Sequence, residues 1–306
     1  MNKRIGKLSL GDKVANVIIY GVFGLFALLC VFPFYYILIN SISNNDAVNK
    51  GDVMFWPIGP HLENYKKILE INDIGNAAIN SLSRTVIGTV LSLLCTSFMG
   101  YAISRTELWH RKLWYRLITA TMYFSAGLIP GYLLIRDLHL LNNFLVYVIP
   151  GLVSAYNLML FKTFVESIPS SLEESADLDG AGYLVKYFKI ILPLCKPILA
   201  TLCIFTAVGH WNSFMDTAYY VTNSKLFTLQ YILHSYLTEA QRVAQMIEDL
   251  SESGGSAAAS MLMQNQMTST TLKMSVAMVV TIPVLCIYPF FQKYFVGGIM
   301  IGAVKG

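Results

Sequence analysis

Six stretches of roughly 20 or more mostly apolar residues recur along the chain, and they limit its fold more than any other feature. A run of that length can satisfy its backbone N–H and C=O groups in lipid only as a helix, whose hydrogen bonds close within the segment. The runs cover about residues 14–42, 79–103, 113–135, 144–165, 190–211 and 272–296. Gly127, Pro130 and Gly131 interrupt the third, and Pro150 stands near the start of the fourth. Pro193 and Pro197 open the fifth, and Pro283 and Pro289 lie inside the sixth. Membrane helices tolerate such breakers where neighbouring helices satisfy the freed carbonyls. The expected fold is an all-α integral membrane protein with six transmembrane helices.

Composition agrees and excludes the alternatives. Only 13% of the 306 residues are charged and 55% are hydrophobic, against about 25% charged in ordinary soluble domains. Disorder, a collagen-like fibre and a small disulfide scaffold are ruled out. The net charge of +4 is too small and dispersed for a nucleic-acid partner. Cys30, Cys95, Cys195, Cys203 and Cys286 all fall in apolar runs without CxxC spacing. They read as small buried hydrophobes, neither a disulfide framework nor a metal site. Met1 to Arg4 resembles a signal n-region, but the run behind it is too long for a signal h-region. An uncleaved first membrane helix is expected.

The placement of Lys and Arg orients the helices. Lys3, Arg4, Lys7 and Lys13 precede the first run, and Arg105, Arg111, Lys112 and Arg116 follow the second. Lys162, Lys186 and Lys189 lie between the fourth and fifth, and Lys293 and Lys305 lie in the tail. All four regions fall on one side, which is therefore cytoplasmic. Residues 1–13 form a cytoplasmic segment and both termini are inside. The opposite loops, about 43–78 and 213–271, carry their cations thinly: Lys50, Lys66, Lys67, Arg136, Lys225 and Arg242. In the second of them, Gly254-Gly255-Ser256 reads as a flexible tip and 257–267 as a short helix.

The cytoplasmic loop of about 166–189 carries the most information. Ser171-Leu172-Glu173-Glu174 fits a capping box, with Ser171 as N-cap and Glu174 reaching back to its amide. Gly180 and Gly182 are the expected breakers at the far end. The short helix between them bears Glu173, Glu174, Asp177 and Asp179 beside Leu172, Ala176 and Leu178. It is too short to be stable alone and needs a groove to sit in. A second amphipathic piece, about 183–190, leads into the fifth run.

The order Glu174-Ser175-Ala176, three residues, Gly180, nine residues, Ile190, one residue, Leu192-Pro193 resembles the EAA loop of ABC importer permeases. Every spacing agrees, and Ser175 replaces one small residue of that pattern by another. Residues 124–130 with Tyr132 and Leu134, Gly209 to Ser213, and 288–296 with 302–306 resemble the carbohydrate-uptake branch. That branch is related to the second permease of the maltose system, and the chain is similar within it to the LplC/YtcP type of polysaccharide and oligosaccharide permeases. The resemblance implies a bacterial plasma-membrane importer subunit with a coupling helix between helices 4 and 5. Its implied partners are a homologous permease, two ABC ATPase subunits and an extracytoplasmic solute-binding protein that delivers the carbohydrate. Glu173, Glu174, Ser175, Ala176, Asp177, Asp179 and Gly180 form the implied ATPase-coupling segment, with Glu174 and Gly180 in the helix that enters the ATPase cleft. The chain has no G-x-x-x-x-G-K-[ST] pattern. It is therefore expected to carry no cofactor and no ATPase site, with ATP and Mg bound by the partner subunits.

Sugar sites pair aromatic faces with amide and hydroxyl groups. Tyr123, Phe124, Ser125, Tyr156, Asn157, Trp211 and Asn212 are the candidates, with helix packing, the interfacial aromatic belt and interhelical hydrogen bonding as competing roles. In the related maltose system the companion permease supplies most sugar contacts, so few are implied here. The outer loop around Gly254-Gly255 is a candidate contact for the binding protein. An ion-coupled transporter would need charges deep in the membrane, whereas Arg84, Arg136, Lys196 and His210 are expected at span ends. No HExxH or GxSxG signature marks an enzyme. An ABC permease for a non-sugar solute remains the alternative.

Overall fold

Helix α4, Ile74–Ser104, shows how this sequence builds a membrane domain. Along one face run Arg84, Gly88, Ser92, Thr96 and Gly100, small apart from Arg84 and all buried. Along the other run Leu82, Val86, Val90, Leu94 and Phe98, all exposed. Small residues let helix backbones approach closely, and an apolar outer face suits lipid. This polarity is the reverse of a soluble amphipathic helix.

The computed structural model describes residues 10–70, 73–252 and 270–286. No strand occurs among the described residues. The chain divides into two compact units, Met1–Leu69 with Thr238–Val279, and Glu70–Leu237 with Val280–Gly306.

The first unit begins with α1, Leu10–Ile42, apolar and exposed over most of its length. Two short helices follow, α2 (Asn45–Lys50) and α3 (Glu63–Leu69). The Asn44 side chain accepts from the Asp46 amide at 2.8 Å, and Gly51 closes α2 in the left-handed region at φ 78°. The Asn44 amide donates to Ile58 and the His61 amide to Ile42. The Ser41 carbonyl accepts from Asn64 at 3.3 Å and from Ser275 at 3.2 Å. The loop after the first run is therefore hydrogen-bonded back onto the end of α1.

The second unit is built on α4, α7 (Ala155–Glu166) and α11 (Lys196–Asn212). Between α4 and α7 lie α5 (Arg111–Thr121) and α6 (Leu128–Asp137), then two 3-10 turns, Phe144–Tyr147 and Ile149–Gly151. Between α7 and α11 lie α8 (Ser171–Leu178), α9 (Tyr183–Lys186), a π turn over Tyr187–Ile191, and α10 (Leu192–Leu194). After α11 come α12 (Met215–Tyr220) and α13 (Leu229–Glu252), of which the part up to Leu237 belongs to this unit. The last described helix is α14, Thr270–Cys286, which belongs to the first unit up to Val279. Phe161, Tyr187, Ile191, Cys195 and Leu202 form an inner cluster with Tyr101 and Val165. At Gly100 a Cβ would come within 2.8 Å of Phe161, so glycine sets the distance between α4 and α7 there.

Only α1 and α4 are unbroken helices long and apolar enough to cross a membrane among the described residues. The fourth run is bent by 46° between Phe144–Gly151 and Ala155–Glu166, at the turn that holds Pro150. The fifth is bent by 78° between Tyr183–Leu194 and Lys196–Asn212. Cys195 is the joint, and Pro197 restarts the helix at its first turn, where a missing N–H does no harm. The third run is split into α5 and α6 at Met122 to Gly127, where Gly127 takes φ 86°. The sixth run is described only to Cys286, and 287–296 lie outside the described residues. So do Lys3, Arg4, Lys7, Lys293, Lys305, the Gly254-Gly255-Ser256 tip and 257–267.

Candidate coupling helix and polar cavity

The expected short helix exists as α8, and its ends differ from expectation in one respect. Ser171 is not the N-cap and no capping box forms. The helix is flanked by Ser170, already helical at φ −60° and ψ −27°, with no side-chain cap. An N-cap requires extended backbone, and Pro169, with φ fixed near −65°, starts the turn one residue early. The Leu172 amide reaches the Pro169 carbonyl, and the Ser171 carbonyl accepts from Ser175 Oγ at 2.8 Å. At the other end Gly180 does what was expected. Its φ is +73°, its amide donates to Asp177, and the Ala181 amide donates to Ala176. Those two bonds form the Schellman closure that needs a left-handed residue. A Cβ on Gly180 would meet nothing within 4 Å, so the requirement is conformational and not steric.

α8 has a held face and a free face. On the held face Ala176 is buried, Glu173 pairs with Arg105, and Asp177 accepts from Lys186 Nζ at 2.6 Å. The Lys186 side chain is 7% exposed, and its hydrogen bond to Asp177 holds its pKa above the ordinary lysine value. Arg105 also packs over the Tyr101 ring at 4.6 Å. Behind this face, Glu166 pairs with Arg111 and, at 2.8 Å, with Lys162. The neighbouring ends of α4, α5, α7 and α9 thus supply the groove that a two-turn helix needs. On the free face Ser171, Glu174, Ser175 and Leu178 recur at i, i+3, i+4 and i+7, and all are exposed. Leu178 is 90% exposed, a large apolar side chain without cover. Asp179 is the C-cap, also exposed.

Arg105 and Lys186 entered the sequence reading only as orientation charges. Arg105 pairs with Glu173 of a different loop, and no local pattern signals it, whereas Lys186 and Asp177 lie nine positions apart within one loop.

A second feature departs from expectation. Arg84 lies ten residues inside α4, about 15 Å along at the helical rise, and is 1% exposed. It is not at a span end. Its guanidinium donates to Asp216 at 2.5 Å and to the Ser213 carbonyl at 3.1 Å, and stacks over Tyr147 at 4.6 Å. Asp216, in a segment expected to be an outer loop, is held on α12 and also accepts from Ser213 Oγ at 2.8 Å. Beside the pair is a cavity of about 280 Å³ lined by Ser92, Ser154, Asn157, Thr206 and His210 among others. Gly88 admits the His210 ring, since a Cβ there would lie 2.5 Å from Nε2. The Arg84 Nε has no hydrogen-bond partner among the described residues. A buried ion pair needs such compensation to be tolerated, and a polar cavity within an apolar bundle suits a hydroxyl-rich solute.

Of the substrate-path candidates, only Asn157 lines this cavity, donating to Thr206 at 3.4 Å. Tyr123 and Phe124 lie in the break between α5 and α6, 82% and 83% exposed, with Ser125 beside them. Tyr156 is exposed one position before Asn157. Trp211 is buried and donates from Nε1 to the Val280 carbonyl at 2.9 Å, which engages its indole in helix packing. Asn212 is exposed at the end of α11 and does not line the cavity.

A family model described as "Binding-protein-dependent transport system inner membrane component" matches residues 6–300. The polygalacturonan/rhamnogalacturonan transport system permease protein YtcP of Bacillus subtilis (strain 168) is 36% identical over 295 residues, covering 96% of this chain and 99% of that protein. Protein LplC of the same organism is 32% identical over 294 residues, covering 96% and 94%. A chain in the crystal structure of a bacterial ABC transporter involved in the import of the acidic polysaccharide alginate superposes with a TM-score of 0.79. It is 31% identical, with 95% of this chain and 99% of that chain covered. Together with the α8 geometry and the all-helical bundle, these matches establish that the chain belongs to the family of binding-protein-dependent transport system inner membrane components.

Proposed function

We propose that this chain is one of two permease subunits of an ATP-driven importer for a carbohydrate, an oligosaccharide or a fragment of an acidic polysaccharide. Six spans place both termini and α8 on the cytoplasmic side of a bacterial plasma membrane. A homologous permease completes the pathway, two ATPase subunits bind ATP and Mg, and an extracytoplasmic binding protein delivers the sugar. The carbohydrate class rests on the names of similar proteins, which transport polygalacturonan or rhamnogalacturonan in one case and alginate in another.

The two faces of α8 carry the reading. Its inner face is clamped by Glu173–Arg105 and Asp177–Lys186, while Glu174, Ser175 and Leu178 are left open. A helix so divided transmits force: a partner gripping the open face moves α8, and the clamps pass the motion to α4 and α9. From α9 the chain runs through α10 directly into α11. Chemical work is done by the ATPases, and this chain supplies a rigid lever. On the outer side the solute passes the polar cavity, where Asn157, Thr206 and His210 offer hydrogen bonds and Arg84 a buried cation.

The test is ATPase activity and uptake by the reconstituted complex with its binding protein, using wild type and Leu178→Arg with Glu174→Arg. Neutral oligosaccharides, uronic oligosaccharides and a panel of non-sugar solutes are supplied in turn. Stimulation of wild type by one sugar class, lost in the variant, is the expected result. Stimulation only by a non-sugar solute would replace the substrate class, and wild-type behaviour of the variant would remove α8 from the coupling role.

A further inference from the structure

A strongly cationic cavity lies where α5 leaves the loop after α4. It has a volume of about 620 Å³ and is lined by His110, Arg111, Lys112, Arg116 and Lys162 with Tyr115. No carboxylate is among its lining residues. Among the described residues the only acidic group bonded to any of its cations is Glu166, which Arg111 and Lys162 share. Lys112 and Arg116 stand one turn apart on the same face of α5, are exposed, and make no ion pair among the described residues. The start of α5 has no side-chain cap from His110, so its positive end adds to the field. Like charges gathered this way repel one another unless an anion answers them.

The same helix supplies the other half of a lipid contact. Leu113, Trp114 and Leu117 are exposed on α5, and Trp109 is 75% exposed just before it. Tryptophan at the end of a membrane helix settles at headgroup depth, and cytoplasmic basic pockets between helices receive anionic headgroups. A free phosphate would satisfy the cations and leave this apolar surface unused. We propose that the cavity between α5 and α7 is a binding site for the phosphate of an anionic phospholipid, whose acyl chains lie along Leu113, Trp114 and Leu117.

Native mass spectrometry of the full-length chain in detergent tests this, with short-chain phosphatidylglycerol and phosphatidylcholine as probes. The first phosphatidylglycerol is expected to bind about tenfold more tightly than phosphatidylcholine. Lys112→Gln with Arg116→Gln is expected to weaken phosphatidylglycerol on the order of 25-fold, from the usual contribution of each cation near an anionic headgroup. The charge-conserving pair Lys112→Arg with Arg116→Lys is expected to retain binding, which separates charge from fold. Lys66→Gln with Lys67→Gln is expected to change nothing. Equal affinity for the two lipids, or no loss in the Gln pair, overturns the site. Full displacement by millimolar inorganic phosphate reassigns it to a free anion. Displacement by added ATPase subunits makes it a protein contact, and either result overturns the lipid assignment.

Discussion

The Lys186 ammonium lies 2.6 Å from the Asp177 carboxylate and ties α9 to the last turn of α8. Lysine is otherwise costly to bury. Here it is 7% exposed while its partner is 57% exposed, so the pair spans the boundary between the bundle interior and its surface. It makes α8 part of the domain and not a free arm.

Raised above the ordinary lysine value by that hydrogen bond, the Lys186 pKa gives the clamp a defined pH window. A folded-state pKa above the unfolded one stabilises fully below the unfolded value of 10.5 and is lost as pH rises through the folded value. A spin label at Leu178→Cys is expected to be equally restrained from pH 6 to about 9 and to loosen above about 10.5. Asp177→Asn is expected to loosen it at neutral pH, with a loss on the order of 1 kcal/mol because Asp177 is open to water.

Glu173 and Arg105 form the second clamp, and both side chains are largely covered. Reversing either charge leaves two like charges in one covered site, with an expected loss of about 3 kcal/mol. The double exchange Glu173→Arg with Arg105→Glu is expected to recover most of it. Thermal unfolding in detergent of the four proteins reads the coupling energy, and additive losses would mean that the pair is not a functional unit.

Gly180→Ala tests conformation without sterics, since its Cβ would meet nothing within 4 Å. Holding alanine at φ +73° is expected to cost about 1–2 kcal/mol. The loss should appear as faster hydrogen exchange at Gly180 and Ala181 with the bundle intact. Gly180→Asn, more tolerant of this region, is expected to lose less.

Gly88→Ala would place a Cβ 2.5 Å from His210 Nε2. Overpacking of this kind is expected to destabilise by about 1–3 kcal/mol and to reshape the cavity beside Asn157. His210→Ala in the same chain should relieve the clash. Unfolding temperature and solute uptake measured on both variants separate damage to packing from damage to the pathway.

Arg84→Met would leave Asp216 without its cation. Removing one member of a buried pair is expected to cost about 3–5 kcal/mol, and somewhat less here because Asp216 is 35% exposed. Arg84→Met with Asp216→Leu should regain much of that stability. If the double variant is stable but no longer imports, the pair serves the solute and not the fold.

The apolar runs alone announced a helical membrane domain, because lipid leaves the backbone no other way to satisfy itself over twenty residues. The spacing from Glu174 to Pro193 announced the short helix α8, and Gly180 its stop, because only one residue type takes the left-handed turn freely. These are local constraints, written in periodicity and composition. Pairings across the bundle are not local. Arg84 with Asp216 joins residues 132 positions apart and Arg105 with Glu173 joins two different loops, and opposite charges can pair in many ways along a chain. Likewise Pro150 and Pro197 signalled interruptions, while the size of the bends, 46° and 78°, is set only in the folded chain. Packing decided which of the polar residues on these helices share a cavity and which face lipid, because that choice depends on helix rotation and contact, for which a single sequence carries no period.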